Sequence, residues 1–271
     1  MVKRLAAYFL RKGLVALIIC TSILFMFLPI HAQEVRLVTV DNFPPYTYRE
    51  DTKLKGFNIV LLREVFKRMD IQLSIETVPW ARGIRLVQTG KVDGIFPLLK
   101  TKDRHLFFNF SIPYTIEPMA LFVLSKSKIE WKGELDQVRK YTFGRVREYS
   151  SGTLFDEFAS SDSNKIQLAV NTRSNILKLL KGRFDIMIEN QYVVLYELEK
   201  MGKTDSVRML EPLIQINPAH IGFSKSLNNK DLLKKFNSTL RHMKTDGSYE
   251  QIITNYFINT KMPLNFDDLY L

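Results

Sequence analysis

One phrase occurs twice in this chain, and it limits the fold more than any single residue does. Residues 84–96 read Ile-Arg-Leu-Val-Gln-Thr-Gly-Lys-Val-Asp-Gly-Ile-Phe, and residues 176–188 read Ile-Leu-Lys-Leu-Leu-Lys-Gly-Arg-Phe-Asp-Ile-Met-Ile. In each copy an amphipathic helix ends at a glycine, Gly90 or Gly182. An aspartate follows three residues later, Asp93 or Asp185, and an apolar strand begins. Glycine suits a left-handed helix C-cap because it has no Cβ, and an unbroken apolar run suits a buried parallel strand. A repeat 92 residues apart predicts two similar α/β lobes. A cleft between two lobes is a natural place for a small ligand.

The first 32 residues are set apart from this pattern. Lys3, Arg4, Arg11 and Lys12 form a basic segment without acids, Leu14 to Ile30 is apolar, and Ala32 offers a small residue for cleavage. That is the layout of a secretory signal peptide, with an uncleaved N-terminal anchor as the alternative. The mature chain is therefore expected in the periplasm. Cys20, the only cysteine, lies inside this segment, behind an Ile19 too bulky for a lipidation site. Without it the mature chain has no thiol, which excludes disulfides, thiolate metal sites and cysteine catalysis. Removing four basic residues lowers the formal net charge from +11 to +7. The remaining basic residues alternate with acids along helices, as at Arg63-Glu64 and Lys67-Arg68, and form no stripe interleaved with aromatics. Nucleic acid is not an expected partner.

Along the mature chain, Val35 to Val40 alternates as a strand and runs into the stiff loop Asp41-Asn42-Phe43-Pro44-Pro45-Tyr46. Gly56 opens a helix with Ile59, Leu62, Phe66 and Met69 on one face. Ile71 to Thr77 is a second strand. The first copy of the repeat follows Pro79-Trp80, and Thr101-Lys102-Asp103-Arg104 lies on a loop beyond it. Met119 to Leu124 reads as a strand crossing to the second lobe, and Ala219 to Phe223 as a strand crossing back. Between them come a strand at Tyr141 to Val146, the polar loop Glu148 to Thr153, a helix from Leu154, the second repeat, and a helix through Lys200. Helices at 230–245 and around 249–257 close the fold. The expected lobes are 33–118 with 219–271, and 119–218.

Five pieces of this sequence, in order, resemble the family 3 extracellular solute-binding proteins, the periplasmic receptors of polar amino-acid ABC importers. They are Gly56-Phe57-Asn58-Ile59, Gly90-Lys91-Val92-Asp93, Thr101-Lys102-Asp103-Arg104, Phe110-Ser111-Ile112-Pro113-Tyr114, and Lys244-Thr245-Asp246-Gly247-Ser248-Tyr249 through Tyr256-Phe257. The resemblance implies an α/β periplasmic binding protein fold of type II, with two lobes joined by two crossing strands. It also implies a monomer that closes over a small polar solute by hinge motion and delivers it to an inner-membrane ABC permease, without a cofactor.

By the same resemblance Arg104 grips a ligand carboxylate, a task suited to a planar fork of donors. Phe43 and Trp80 match the two aromatic positions that sandwich a ligand. Ser150 and Ser151 precede a second-lobe helix and either bind an anionic group with its amides or simply cap it. Two departures bear on the ligand. The stretch before Thr101, Phe96-Pro97-Leu98-Leu99, is apolar where relatives carry a small hydroxyl residue. Relatives also place an aspartate against the ligand ammonium five residues after the repeat's Asp, where this chain has Asn190. Exchanging a charged for a neutral acceptor forgoes about 1–2 kcal/mol. Glu189 is adjacent, but strand alternation turns it to the opposite face. Arg82 is a second candidate cation, so Arg82, Arg104 and Asn190 together suit an acidic or neutral ligand. Asp41, after the first strand, completes the candidate set.

His105, His220 and His242 lack metal-ligand spacing, and no nucleophile elbow, phosphate loop or dinucleotide fingerprint occurs. The expected protein is therefore not an enzyme. The alternatives are a sensory receptor serving a membrane partner and, by fold resemblance alone, a periplasmic cyclohexadienyl-type dehydratase.

Overall fold

The structure is a computed structural model that describes residues 34–147, 149–161 and 165–260. The expected signal peptide, Cys20 and Glu148 of the polar loop lie outside the described residues. The first lobe begins with β1 (Glu34–Thr39). A small antiparallel sheet of β2 (Asn42–Phe43), β3 (Thr47–Glu50) and β4 (Lys53–Lys55) follows. Then come α1 (Phe57–Arg68), β5 (Gln72–Thr77), α2 (Trp80–Gln88), β6 (Gly94–Leu99) and β7 (Phe108–Phe110). β8 (Thr115–Leu124) leads into the second lobe. That lobe holds α3 (Leu135–Val138), β9 (Phe143–Val146), α4 (Thr153–Ser161), β10 (Ile166–Ala169), α5 (Thr172–Leu180), β11 (Ile186–Asn190) and α6 (Gln191–Met201). The long β12 (Val207–Ser224) returns to the first lobe, where α7 (Lys230–Thr245) and α8 (Ser248–Thr260) finish the chain.

The main sheet runs β10-β9-β11-β8-β12-β6-β1-β5, with β7 also on β12. β1 pairs in parallel with β5 and β6, and β9 pairs in parallel with β10 and β11. Between these two parallel blocks lie the antiparallel β8 and β12, whose register slips between Leu210 and Gln215. These are the two crossing strands. Both begin earlier than the sequence suggests, at Thr115 rather than Met119 and at Val207 rather than Ala219. The mixed polar run Arg208, Glu211, Pro212 and Gln215 hides the first half of β12 from a hydropathy reading. The small β2–β4 sheet and β10 also lie in stretches that carry no clear alternation.

Both faces of the sheet are covered, and alternation along a strand shows it. On β8, Met119, Leu121 and Val123 enter one core, with Phe143, Phe155 and Phe158, while Ala120 and Phe122 enter another, with Ile176, Leu179 and Phe184. In the first lobe Leu37 and Phe96 join a core with Phe57, Phe66, Phe223 and Phe236, and Val38, Ile95 and Leu98 face a smaller cluster with Val87. Each such Phe, fully buried, contributes roughly 1.5–3 kcal/mol.

The repeated phrase is a repeated structure. Gly90 and Gly182 end their helices at φ 68° and 64°. The Asp93 amide donates to the Arg36 carbonyl, and its carboxylate accepts from the Arg36 amide at 2.9 Å. Asp185 does the same with Thr142, donating to its carbonyl at 3.1 Å and accepting from its amide at 2.9 Å. In each lobe the aspartate therefore clamps the start of the following strand, β6 or β11, to its parallel neighbour β1 or β9, which fixes register where the strands begin.

Candidate functional site

A narrow cavity of about 40 Å³ lies where the two lobes face each other across β8. Its walls come from element ends. Val40 and Phe43 close the exit of β1, Trp80 starts α2, Pro97 and Leu99 end β6, and Arg104 opens a 3-10 turn. Glu117 and Met119 stand on β8, Tyr149 and Ser150 lie in the loop ahead of α4, and Glu189 is near the end of β11. The apolar stretch before Thr101 thus supplies wall rather than hydrogen bonds.

Arg104 is positioned by its own motif. The Thr101 side-chain oxygen accepts from the Arg104 amide at 3.3 Å, and the Thr101 carbonyl accepts from the His105 amide at 3.2 Å, which shapes the turn. One guanidinium nitrogen, Nη1, donates to the Leu99 carbonyl at 2.9 Å. The guanidinium carbon sits 5.9 Å from the centre of the Trp80 ring. No acidic side chain among the described residues forms an ion pair with it. Burial lowers its proton affinity, and Glu117 and Asp156 act in the opposite direction.

Tyr149 is the aromatic residue that the sequence reading passed over. Its ring meets Phe43 edge-on, with centres 6.0 Å apart and planes at 88°, and meets Trp80 at 6.0 Å and 70°. Phe43 in turn stacks on Tyr46 at 5.1 Å. Three rings from three separate segments therefore bound the cavity. Burial holds the Tyr149 phenol well above its ordinary range, with the Glu189 and Glu117 charges adding to the shift.

The two carboxyls are the larger surprise. Glu117 is 7% exposed and Glu189 is 4% exposed. Burial pushes Glu117 up to about 8, the Glu189 charge adds to the shift, and Arg104 opposes it. Glu189 is pushed up by burial to about 7, although its carboxylate accepts from the Asn190 amide at 3.0 Å and from the Thr172 hydroxyl at 3.2 Å. Glu117 makes no side-chain hydrogen bond to any described residue.

Of the eight sequence candidates, the structure brings Arg104, Trp80, Phe43 and Ser150 to the cavity wall. The other four lie elsewhere. Asn190 is buried as the N-cap of α6, its side-chain oxygen accepting from the amides of Tyr192 and Val193 at 3.0 and 3.3 Å. Its amide nitrogen donates to the Tyr46 hydroxyl at 3.3 Å. The expected facing at the end of β11 is thus reversed: Glu189 looks into the cavity and Asn190 away from it. Alternation says that neighbours diverge but not which of them turns inward.

Ser151 is buried without lining the cavity, its amide donating to Asp156 at 3.1 Å. The Ser150 hydroxyl donates to the same carboxylate, which also pairs with Arg145 at 3.2 Å. Asp156 therefore occupies the serine loop that was expected to hold an anion. Arg82 is exposed on α2. Asp41 is 40% exposed in an ion pair with Arg49 at 3.1 Å.

The geometry has counterparts among known proteins. The sequence is 22% identical over 214 residues to the probable amino-acid-binding protein YxeM of Bacillus subtilis, covering 79% of this chain and 80% of that one. It is 23% identical over 228 residues to a probable histidine-binding protein of Campylobacter jejuni, covering 82% and 84%. Among solved structures, a histidine kinase sensor domain with similarity to periplasmic binding proteins superimposes with a TM-score of 0.74 at 18% identity, over 82% of this chain and 95% of that one. The arginine-, lysine-, histidine-binding protein ArtJ of Geobacillus stearothermophilus does so at 0.71 and 23%, over 85% and 97%. Residues 35–259 match the profile of the bacterial extracellular solute-binding proteins, family 3. With two lobes, two crossing strands and a cavity between them, the chain belongs to that family.

Proposed function

We propose that this solute-binding protein captures a small carboxylate-bearing solute in the periplasm and delivers it to an inner-membrane ABC importer. The observation that carries the reading is Arg104, a cation in the cavity wall, half-buried, with no acidic side chain paired to it among the described residues. A guanidinium in a cavity lined by Phe43, Trp80, Pro97, Leu99 and Met119 is desolvated on one side, and a carboxylate that meets its free nitrogens restores what water supplied. The relatives point the same way, since YxeM and the Campylobacter protein are named for amino-acid and histidine binding. Closure turns on β8 and β12, and we place the lobe boundaries on them, near 118–119 and 218–219.

Arg104→Met tests the reading. Two charge-assisted hydrogen bonds at roughly 1.5 kcal/mol or more each amount to at least about a hundredfold in affinity. A thermal-shift screen of carboxylic solutes should find compounds that stabilise the parent and not the variant, whose own melting point stays close to the parent's. Equal stabilisation of both proteins rejects the assignment.

A further inference from the structure

We propose that a second groove, at the seam between the lobes and separate from the Arg104 cavity, binds a small planar anion of the aromatic carboxylate class. The groove has a volume of about 730 Å³ and shares no lining residue with the cavity. Small-molecule sites commonly span about 300–1,000 Å³, so it has room for a ligand of a few rings.

Its wall is assembled from distant segments. Tyr48 stands on β3, Lys53 on β4, Arg63 on α1 and Tyr256 on α8, all in the first lobe, and Tyr196 comes across from α6 of the second. The three tyrosines are half-buried, which leaves part of each ring open to the groove. Tyr48 and Tyr196 meet with ring centres 5.6 Å apart and planes at 48°. The Tyr256 hydroxyl donates to the Pro45 carbonyl at 3.3 Å and lies 3.4 Å from the Tyr48 hydroxyl, which holds those two rings in place. Aromatic faces arranged in this way favour a flat apolar body, by stacking or by edge contact.

The charges decide the sign of the ligand. Glu50 is the one acid among the lining residues, and it is paired with Lys55. Lys53 and Arg63 line the same groove, are exposed, and form no ion pair with any described residue. The Lys200 ammonium lies beside them, 4.9 Å from the centre of the Tyr196 ring. Asp51 and Glu197 act on Lys55 and Lys200 from outside the lining. Within the groove three cations therefore stand against one acid, and two of the three are uncompensated. That excess attracts an anion, and the Arg63 guanidinium offers a carboxylate a planar fork of donors. Tyr48 and Tyr196 belong to different lobes, so a ligand laid against both rings favours the arrangement in which the lobes are together.

The probe is 2-naphthoate, titrated by calorimetry beside its neutral counterpart 2-naphthamide and beside acetate, an anion without a ring. Naphthoate should bind at least about threefold tighter than the amide, and acetate should give no measurable binding. Tyr196→Ala should weaken naphthoate by about threefold to tenfold. The double variant Lys53→Gln, Arg63→Gln should weaken it by about tenfold, with an unchanged melting point because both side chains are exposed. Arg104→Met, at an independent site, should leave the affinity within about twofold. Equal binding of naphthoate and naphthamide, or an affinity unchanged in the double variant, overturns the assignment. Affinity lost in Arg104→Met and kept in the double variant also overturns it, and supports the carboxylate reading of the cavity instead. No binding of naphthoate at millimolar concentration removes the groove site and leaves that reading untouched.

Discussion

Replacing Glu117 by Gln substitutes a side chain of nearly the same shape that never ionises, and the pH dependence of stability then isolates one buried carboxyl. In the folded protein Glu117 titrates near 8, against an ordinary value of 4.5. Below pH 4.5 both the folded and unfolded chains hold the proton, and stability is fully present. Between 4.5 and 8 the unfolded chain releases it while the folded chain keeps it, so rising pH favours unfolding. Above 8 both states are ionised and the loss levels off. At 1.36 kcal/mol per pH unit the whole interval amounts to about 5 kcal/mol, of which about 2.5 kcal/mol falls between pH 5.5 and 7.5.

The measurement is urea unfolding of ligand-free parent and Glu117→Gln protein at several values from pH 5.5 to 8.5. Other groups titrate in the same range. Glu189, pushed up to about 7, loses stability in the same direction as pH rises. His220, whose Nδ1 donates to the Ser111 carbonyl at 2.7 Å, is pushed down by burial to about 4 and contributes with the opposite sign as its unfolded form deprotonates. His220 is common to the two proteins and cancels, whereas Glu189 is coupled to Glu117, so the difference between the profiles belongs to Glu117 together with that coupling. The variant should gain on the parent by about 2.5 kcal/mol over that window, equivalent to roughly 5–10 °C in a chain of this size, and the gap should flatten above pH 8. Parallel profiles would mean that water reaches Glu117 freely, and the account of a desolvated carboxyl would fail.

Two further predictions concern the scaffold. Asn190→Ala removes the acceptor for two amides at the start of α6 together with the link to Tyr46; it should lower stability by about 1–2 kcal/mol in chemical unfolding, and an unchanged midpoint would contradict the capping role. Gly144→Ala puts a methyl 2.0 Å from Cζ of Phe184, so it should cost about 1–3 kcal/mol through displacement of that ring. Ala at Gly182 meets no neighbour within 4 Å and should cost only the left-handed backbone strain, about 1–2 kcal/mol; the two melting points measured side by side separate crowding from strain.

What the sequence discloses of this fold is whatever short-range chemistry dictates. A helix that must end at positive φ needs a glycine, and an aspartate three residues on reaches the amide of the neighbouring strand, so Gly90, Asp93, Gly182 and Asp185 are legible without coordinates. The Thr-x-x-Arg spacing is local in the same sense, because Thr101 folds the turn that presents Arg104. The residues that escape notice depend on how distant segments meet. Tyr149 becomes part of the site only when its loop closes on Phe43 and Trp80. Glu189 and Asn190 are fixed relative to each other by alternation, yet which one faces inward is set by β8 and by the start of α6. Glu117 had a usable signal, since a lone acid in the run Thr-Ile-Glu-Pro-Met-Ala-Leu-Phe is out of place in a strand otherwise buried along its length.

That lone acid also bears on why the proposed closure would wait for a ligand. The Leu99 carbonyl accepts from Arg104 and two donors reach Glu189, but Glu117 makes no side-chain hydrogen bond to a described residue. Leaving a buried polar group unpaired costs about 1–3 kcal/mol, and in a separated pair of lobes water would remove that penalty. Under the proposed function, shutting an empty cavity would be opposed by the same side chains that a solute would satisfy. A ligand shifts such an equilibrium only through contacts that differ between the two states. Glu117 on a crossing strand and Arg104 on a first-lobe turn line the cavity from different elements, and Tyr149 and Glu189 line it from the second lobe, so a solute held there would bear on both.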